Sequence, residues 1–352
     1  MIEEILREAV EQHASDVFII AGKPVCLKVH GVIKSRDENR LSAVDTRTLI
    51  EEIYDHATNR SFDRLHEQYE DDFSFALPKV GRFRVNAFYQ RGSLSAVLRV
   101  VKFDLPDPKE YHIPDGVMDL AKLQKGLVIV TGSAGSGKTT TLACIIDAIN
   151  KTRNAHIITI EDPIEYLHHH EQSIVTQREI ASDTRDYVSA IRSALREAPD
   201  VILVGEMRDL ETISIALTAA ETGHLVLSTL HTMSAADTVN RIIDIFPPTQ
   251  QAQIRVQLAM SLKAVVAQQL IPSTDVGVVP AFEMMHTNNA IRTMIRDSKT
   301  HQIDNAIAGG RASGMMSMDD SILQLYKDGL ITAENAISYA TNPDLMSRNI
   351  GK

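Results

Sequence analysis

The sequence is poor in cysteine, with only Cys26 and Cys144 among its 352 residues. The two lie far apart in the chain, and neither has a second cysteine nearby. A disulfide framework or a four-cysteine zinc site needs more thiols at closer spacing. The composition therefore excludes both.

Long apolar runs and net positive charge are also missing. No stretch approaches the roughly 20 apolar residues that a membrane-spanning helix needs. The first residues, MIEEILREAVEQ, are typical of an acidic amphipathic helix and not of a signal peptide. The formal net charge of -10 argues against broad binding to nucleic acid, although a local basic patch can survive such an average. We therefore expect a soluble cytoplasmic protein that binds no nucleic acid.

Two compositions follow each other along the chain. The first is typical of a small α/β domain over residues 1–103, without a nucleotide loop. Its expected elements are an N-terminal amphipathic helix, helical segments within 45–69, and strands near 17–20, 25–30, 73–76, 83–90 and 94–101. The proline-containing, charged segment 104–115 is the expected linker, which leaves residues 116–352 as the second domain.

Continuous apolar runs alternate with helical stretches in this second domain. They begin at residues 127, 156, 201 and 225, and such runs are typical of a buried, mainly parallel sheet. Each run is followed by a polar or glycine-rich element. Because the carboxyl ends of the strands form the ligand crevice of an open α/β sheet, the pattern predicts a site at that rim. Helices are expected in the remainder, notably over 249–269 and 318–341.

The first rim element is the loop GSAGSGKTTT, residues 132–141. Its spacing fits a phosphate-binding P-loop, in which backbone N–H groups surround the β-phosphate; the alternative is a plain glycine-rich turn. The lysine adds positive charge, and the following helix points its positive dipole end at the phosphates. We therefore expect ATP and Mg²⁺ as cofactors, with Thr139 as a metal ligand. The expected nucleotide-binding residues are Ser133, Ala134, Gly135, Ser136, Gly137, Lys138, Thr139 and Thr140.

Hydrolysis also needs a group near the metal and a group that activates water. Glu161 and Asp162 follow the run at 156, and Glu206 follows the run at 201 after a glycine. Carboxylates on neighbouring strand ends can divide these two roles, or they can be solvated acids that end strands. The nearby P-loop favours the catalytic interpretation.

A histidine, His231, follows the run at 225. Beside phosphates, a ring N–H can hydrogen-bond the γ-phosphate and report its presence. The alternative is a core histidine without a chemical role. Its position at a strand end favours the first interpretation.

Four segments together resemble the secretion ATPase superfamily, and most closely its PilT-like branch of type IV pilus retraction motors. GSAGSGKTTT, ITIEDPIEY, PDVILVGEMRD and GHLVLSTLHTMSAADTVNRIIDIFP are similar to that family's Walker A, Asp box, Walker B and His box. The likeness covers nearly the whole chain. It implies a RecA-like P-loop motor domain after a smaller PAS-like α/β domain. It also implies a homohexamer that hydrolyses ATP to drive pilus retraction in twitching motility, acting on a platform protein at the cytoplasmic face of the inner membrane.

The resemblance also implies roles for single residues. Lys138 and Thr139 would bind phosphate and Mg²⁺, Glu161 would be the catalytic base, and Glu206 would be the Walker B carboxylate. His231 falls in the His box.

Arginine fingers are expected from the N-terminal domain by the same resemblance. Arg84 and Arg99 fit best, with Arg82 and Arg91 in reserve. Charge that develops on the γ-phosphoryl group needs a mobile cation, and we expect no motor segment to supply one besides Lys138. The alternative is that these arginines pair with local acids on a strand surface.

Other functions stay open. Extension motors and type II secretion ATPases usually carry a large extra N-terminal region and a four-cysteine zinc element. The two cysteines of this sequence cannot form that element, so retraction is favoured. A PilU-like accessory motor remains an alternative. A second alternative is a nucleotide-gated module without sustained turnover, which intact Glu161 and Glu206 argue against. A third is a DNA-transporting ATPase, for which the acidic charge balance is unsuited.

Overall fold

The computed structural model describes residues 1–29, 31–57, 60–101, 105–275 and 277–351. The chain divides into two compact units. The first comprises Met1–Asp104 with Ile164–Leu167 and Ala181–Asp183, and the second comprises Leu105–Pro163, His168–Ile180 and Thr184–Lys352. The predicted domain end at 103 and linker start at 104 lie outside the described residues, so these boundaries stay a prediction.

An antiparallel sheet organises the first unit, with strand order β3-β2-β1-β6-β5-β4 among the described residues. β3 was not predicted, because all four of its residues are exposed and its sequence lacks the alternation of a half-buried strand. The elements are α1 (Ile2–Glu11), β1 (Ala14–Ile19), β2 (Cys26–Val29), β3 (Val32–Ser35), α2 (Ala43–His56), α3 (Phe62–Gln68), β4 (Glu70–Leu77), β5 (Gly81–Gln90) and β6 (Ser93–Val101).

The core of the first unit lies on one face of this sheet. β5 alternates strictly, with Phe83, Val85 and Ala87 fully buried. α1 is too short to be stable alone, and its apolar stripe, which includes Ile5 and Leu6, packs into the same core. Burial of each such side chain contributes roughly 1.5–3 kcal/mol. The opposite face of the sheet carries Asp72, Arg84, Asn86 and Arg99 together with the apolar Val97.

The second unit is built on a seven-stranded sheet of order β13-β12-β7-β11-β10-β8-β9 among the described residues. Its elements are α4 (Asp115–Met118), β7 (Gly126–Thr131), α5 (Lys138–Thr152), β8 (His156–Glu161), β9 (Ile174–Glu179), α6 (Tyr187–Ala194), β10 (Val201–Val204), α7 (Leu210–Glu221), β11 (Leu225–Leu230), α8 (Ala235–Asp244), α9 (Pro248–Ser261), β12 (Leu262–Pro272), β13 (Val278–His286), α10 (Asn289–Arg296), α11 (Ile303–Gly309), α12 (Met318–Lys327), α13 (Ala333–Tyr339) and α14 (Pro343–Ile350).

Adjacent strands of this sheet run parallel, except that β13 is antiparallel to β12. Every residue of β7, β10 and β11 is buried, because helices cover both faces of the sheet. The predicted buried, mainly parallel sheet is therefore confirmed. The carboxyl ends of β7, β8, β10 and β11 share one rim.

The predicted helix over 249–269 is wrong in its second half. α9 ends at Ser261, and residues 262–272 form β12, which pairs with β7 and β13. Ala264, Val265 and Val266 are fully buried there. A short apolar run fits a buried helix or a buried strand equally well, and partners distant in sequence decided this one. β9 and β13 are strands that the sequence did not predict, and the helix predicted over 318–341 is two helices, with Gly329 at φ 75° between them.

Glu283 of β13 is a buried carboxylate beside a cavity of about 760 Å³ in the second unit. Its pKa is raised from the usual 4.5 to about 7, chiefly by burial, and nearby Asp304 and Asp237 contribute to the rise. The N–H groups of Ala235, at 2.8 Å, and of Met318 oppose this rise. Other charged groups that line the cavity are Arg311, Asp319 and Asp320.

We expect the Glu283→Gln variant to lose part of the pH dependence of stability. Between about pH 4.5 and 7 the folded wild type holds a proton on Glu283 that the unfolded chain has released, so its free energy of unfolding falls as pH rises through this window and levels off above it. Urea unfolding at pH 4.5, 6 and 7.5 measures the difference. Glu110→Gln, at an exposed position, is the control. Parallel profiles for wild type and Glu283→Gln would contradict the expectation.

Candidate nucleotide-binding site

The loop between β7 and α5 is shaped by glycines in left-handed backbone conformations. Gly132 has φ 146°, and a Cβ there would lie 2.2 Å from the carbonyl oxygen of Gln268. Gly137 has φ 88°, and its Cβ would lie 2.8 Å from Nε2 of the same glutamine. A side chain at either position would have to displace the chain, so the close turn requires glycine.

The predicted nucleotide-binding residues all lie on this loop and the first turn of α5. Lys138 is only 8% exposed, and its Nζ donates to the carbonyl oxygens of Gly132 at 2.9 Å and Ser133 at 2.8 Å. Ser136 is buried, and its Oγ has no hydrogen-bond partner within the described ranges. The exposed tip is formed by Ser133, Ala134 and Gly135, whereas Thr139 and Thr140 are half-buried on the helix.

A residue of β12 that sequence reasoning missed contacts this loop and the helix that follows it. Gln268 of β12 is 4% exposed, and its Oε1 accepts the hydroxyl of Thr141 at 2.7 Å. Its backbone oxygen and side-chain amide face Gly132 and Gly137. Because residue 268 was predicted to lie in a helix, no sequence signal connected it to the loop.

The two candidate carboxylates leave neighbouring parallel strands side by side. Glu161 ends β8, and Gly205 follows β10, with its N–H donating to the carbonyl of Ile160 at 2.8 Å. Glu161 is 8% exposed, and its Oε1 accepts the hydroxyl of Thr159 at 2.6 Å and the amide of Gln177 at 3.3 Å. These bonds hold its carboxylate in one orientation at the rim.

Each of the two carboxylate oxygens of Glu206 contacts a neighbouring basic side chain. Its Oε2 accepts Nε of Arg208 at 2.7 Å, and its Oε1 lies 3.2 Å from Nε2 of His231. The structure therefore brings two of the predicted site residues into contact. Arg208 corrects the expectation that Lys138 is the one cation among the motor segments. The arginine stands two positions after Glu206 in the sequence, and that spacing was the available signal.

Threonines connect the strand before the P-loop to the segment after His231. The N–H of Thr232 donates to Oγ1 of Thr131 at 3.0 Å, and the two hydroxyls lie 2.8 Å apart. The Thr232 hydroxyl also lies 2.7 Å from that of Thr238 on α8. Short polar contacts therefore link the segment that follows His231 to the end of β7.

The predicted arginine pair lies on the face of the sheet that is turned away from the core of the first unit. Arg84 of β5 and Arg99 of β6 are directly opposite each other, an arrangement that is unfavourable for like charges. Nε of Arg99 lies 3.3 Å from Asp16 Oδ1, so Arg99 does pair with a local acid. Arg84 has no ion pair with any other described residue. Arg84, Arg99 and Asp72 all line a pocket of about 340 Å³.

Within the part of the chain that the structure describes, no helix has the length and apolar character needed to cross a membrane.

Fold and loop together define a P-loop nucleotide-binding α/β protein. The family model described as Type II/IV secretion system protein matches residues 1–347, and the chain belongs to that family. The predicted resemblance to secretion ATPases is thereby confirmed.

Individual relatives cover the chain almost completely. It is 44% identical over 97% of its length to the Type IV pilus retractation ATPase PilT of Pseudomonas aeruginosa, of which 99% is covered. It is 40% identical over 96% of its length to the Type IV pilus ATPase PilU of the same organism, of which 88% is covered. A crystal structure of the pilus retraction motor PilT with bound ADP is 46% identical, covers 98% of both chains and superposes with a TM-score of 0.89. The predicted fold class is confirmed by this superposition.

Proposed function

We propose that the protein is an ATPase that powers retraction of a type IV pilus and so drives twitching motility. The observation that carries this proposal is the 44% identity to a retraction ATPase over 97% of this chain and 99% of the relative. The likeness therefore extends over both units and is not confined to the nucleotide loop. The protein acts as a homohexamer at the cytoplasmic face of the inner membrane, where a platform protein of the pilus machine is its partner.

ATP binds at the P-loop with Mg²⁺. The residues fit both groups, because Ser136 carries a buried hydroxyl that has no partner among the described residues, and Lys138 carries a buried cation beside the loop carbonyls. Thr139 on the first turn of α5 and Glu206 across the rim are the residues that would hold the metal. Mg²⁺ neutralises phosphate charge in such sites. The phosphates are bound by backbone N–H groups at the start of α5, which have no partners within the helix.

Glu161 accepts the proton of the attacking water. It is buried and held by Thr159 and Gln177, so its carboxylate is oriented before substrate binds. Glu206 is less suited to this task, because one of its oxygens already accepts Nε of Arg208 and the other lies 3.2 Å from Nε2 of His231. His231 contacts Glu206 and senses the state of the γ-phosphate. The role of Arg84 and Arg99 as arginine fingers stays a prediction.

Complementation tests the direction of work. In a bacterium that lacks its own retraction ATPase, we expect the wild-type gene to restore twitching, and Lys138→Ala to leave surface pili that do not retract. Lys151→Ala is the matched control, since Lys151 lies on the same helix but is exposed and forms an ion pair with Asp147. Restored pilus assembly in a strain that lacks the extension ATPase, without restored retraction, would contradict the proposal.

An accessory retraction motor is the second candidate, favoured by the 40% identity to PilU. The same assay separates the two. A main retraction ATPase restores twitching in the absence of any PilU-type protein, whereas an accessory motor restores it only when the main ATPase is present.

A further inference from the structure

Tyr187, the first residue of α6, reaches the rim that carries the two candidate carboxylates. Its ring packs against the core of the second unit. Its Oη lies 3.1 Å from the point that a Cβ on Gly205 would occupy, and the Cα of Glu161 lies 3.4 Å from that same point. The missing side chain at position 205, directly before Glu206, therefore leaves space for the phenol between the two strand ends.

Acidic groups surround this hydroxyl. Burial raises the pKa of Tyr187 well above its usual value, and Asp162, Glu206 and Glu161 add to the rise, while Arg208 opposes it. The phenol is therefore protonated at neutral pH. Within the described part of the chain, no protein atom forms a hydrogen bond with it. Because Tyr187 is only half-buried, a ligand or a water molecule can reach this hydroxyl and serve as its hydrogen-bond partner.

We propose that Tyr187 is a further catalytic residue, whose hydroxyl holds the attacking water between Glu161 and Glu206. This inference rests on the proposed ATPase function. The water accepts a hydrogen bond from Tyr187 with one lone pair and directs the other at the γ-phosphorus. As its oxygen bonds to phosphorus, its proton passes to Glu161, and the bond between the γ-phosphorus and the β–γ bridging oxygen breaks to release ADP. Tyr187 keeps its own proton throughout.

The Tyr187→Phe variant tests this role, because it removes the hydroxyl and keeps the ring. We expect kcat for ATP hydrolysis to fall roughly tenfold, which corresponds to one hydrogen bond to a reacting group. The KM for ATP and the affinity for a fluorescent ADP analogue should stay within about twofold, because the hydroxyl acts on the water and not on the nucleotide. Tyr326→Phe, on α12 and packed in a different cluster, is the matched control.

A second variant separates chemistry from packing. Tyr187→His places an N–H donor on a ring, so its kcat should lie above that of Tyr187→Phe, whatever the thermal midpoints of the two variants. Equal losses in both, an unchanged kcat in Tyr187→Phe, or a raised KM alone would overturn the inference. Turnover by the wild type and its loss in Lys138→Ala would then still support the proposed function. A wild-type protein without ATP hydrolysis would overturn both.

Discussion

Replacing Lys138 with alanine is expected to abolish nucleotide binding and to lower ATP turnover at least about a hundredfold. The ammonium group is buried and bonded to two carbonyl oxygens of its own loop, which places it where phosphate oxygens enter. A cation in such a low-dielectric position interacts with a phosphate by several kcal/mol, so that its loss costs at least two powers of ten. Titration with a fluorescent ADP analogue and steady-state phosphate release measure the two effects.

The exposed Lys151 provides the control for this change. It lies on the same helix, and its ion pair with Asp147 is on the surface, where such pairs contribute little to stability. Lys151→Ala should therefore bind and hydrolyse nucleotide as the wild type does. Normal ADP binding by Lys138→Ala would show that the loop does not hold phosphate in this protein.

Replacing Glu161 with glutamine is expected to lower kcat by roughly 10²–10⁴-fold while nucleotide affinity changes little. The substitution keeps the hydrogen-bonding shape but removes the group that accepts a proton, and general-base catalysis contributes a factor of that size. Glu206→Gln should instead raise the Mg²⁺ concentration needed for half-maximal turnover, because it weakens the carboxylate assigned to the metal side. Phosphate release measured over a Mg²⁺ series distinguishes these two results.

Glu211, an exposed carboxylate on α7, serves as the control here. Glu211 pairs with Arg192 at the surface, so Glu211→Gln should leave both kcat and the Mg²⁺ requirement unchanged. If Glu161→Gln kept its kcat while Glu206→Gln lost it without any change in Mg²⁺ dependence, the two roles would be exchanged.

Local sequence order was sufficient to predict the P-loop and the strands that lead to the rim. A glycine-rich loop between a buried strand and a helix has one common geometry, because its glycines allow backbone conformations that other residues rarely adopt. Glu161 and Glu206 were found in the same way, since Glu161 directly follows a continuous apolar run and Glu206 follows another one after a single glycine. Residues placed by their own strand can be located without knowledge of the rest of the fold.

β12 shows where this reasoning failed. Residues 262–269 were predicted to continue a helix, although Leu262 and residues 264–267 pair with β7, more than 130 positions earlier in the chain. Pairing of that kind depends on which apolar surfaces are available in the folded protein, and periodicity over a short buried run does not carry it. For the same reason, the sequence did not identify Gln268 as a residue that contacts the loop.

The sequence alone therefore determined the class of protein, the glycine-rich loop proposed to hold phosphate and the acids at the rim, because each is encoded by neighbours in the chain. Only the tertiary structure decided which side chains complete the site. Arg208 and His231 meet on Glu206, and Tyr187 reaches the space beside Gly205. The physical reason is that hydrogen bonds and charge interactions act over a few ångströms in space, and folding brings together groups that are separated in sequence.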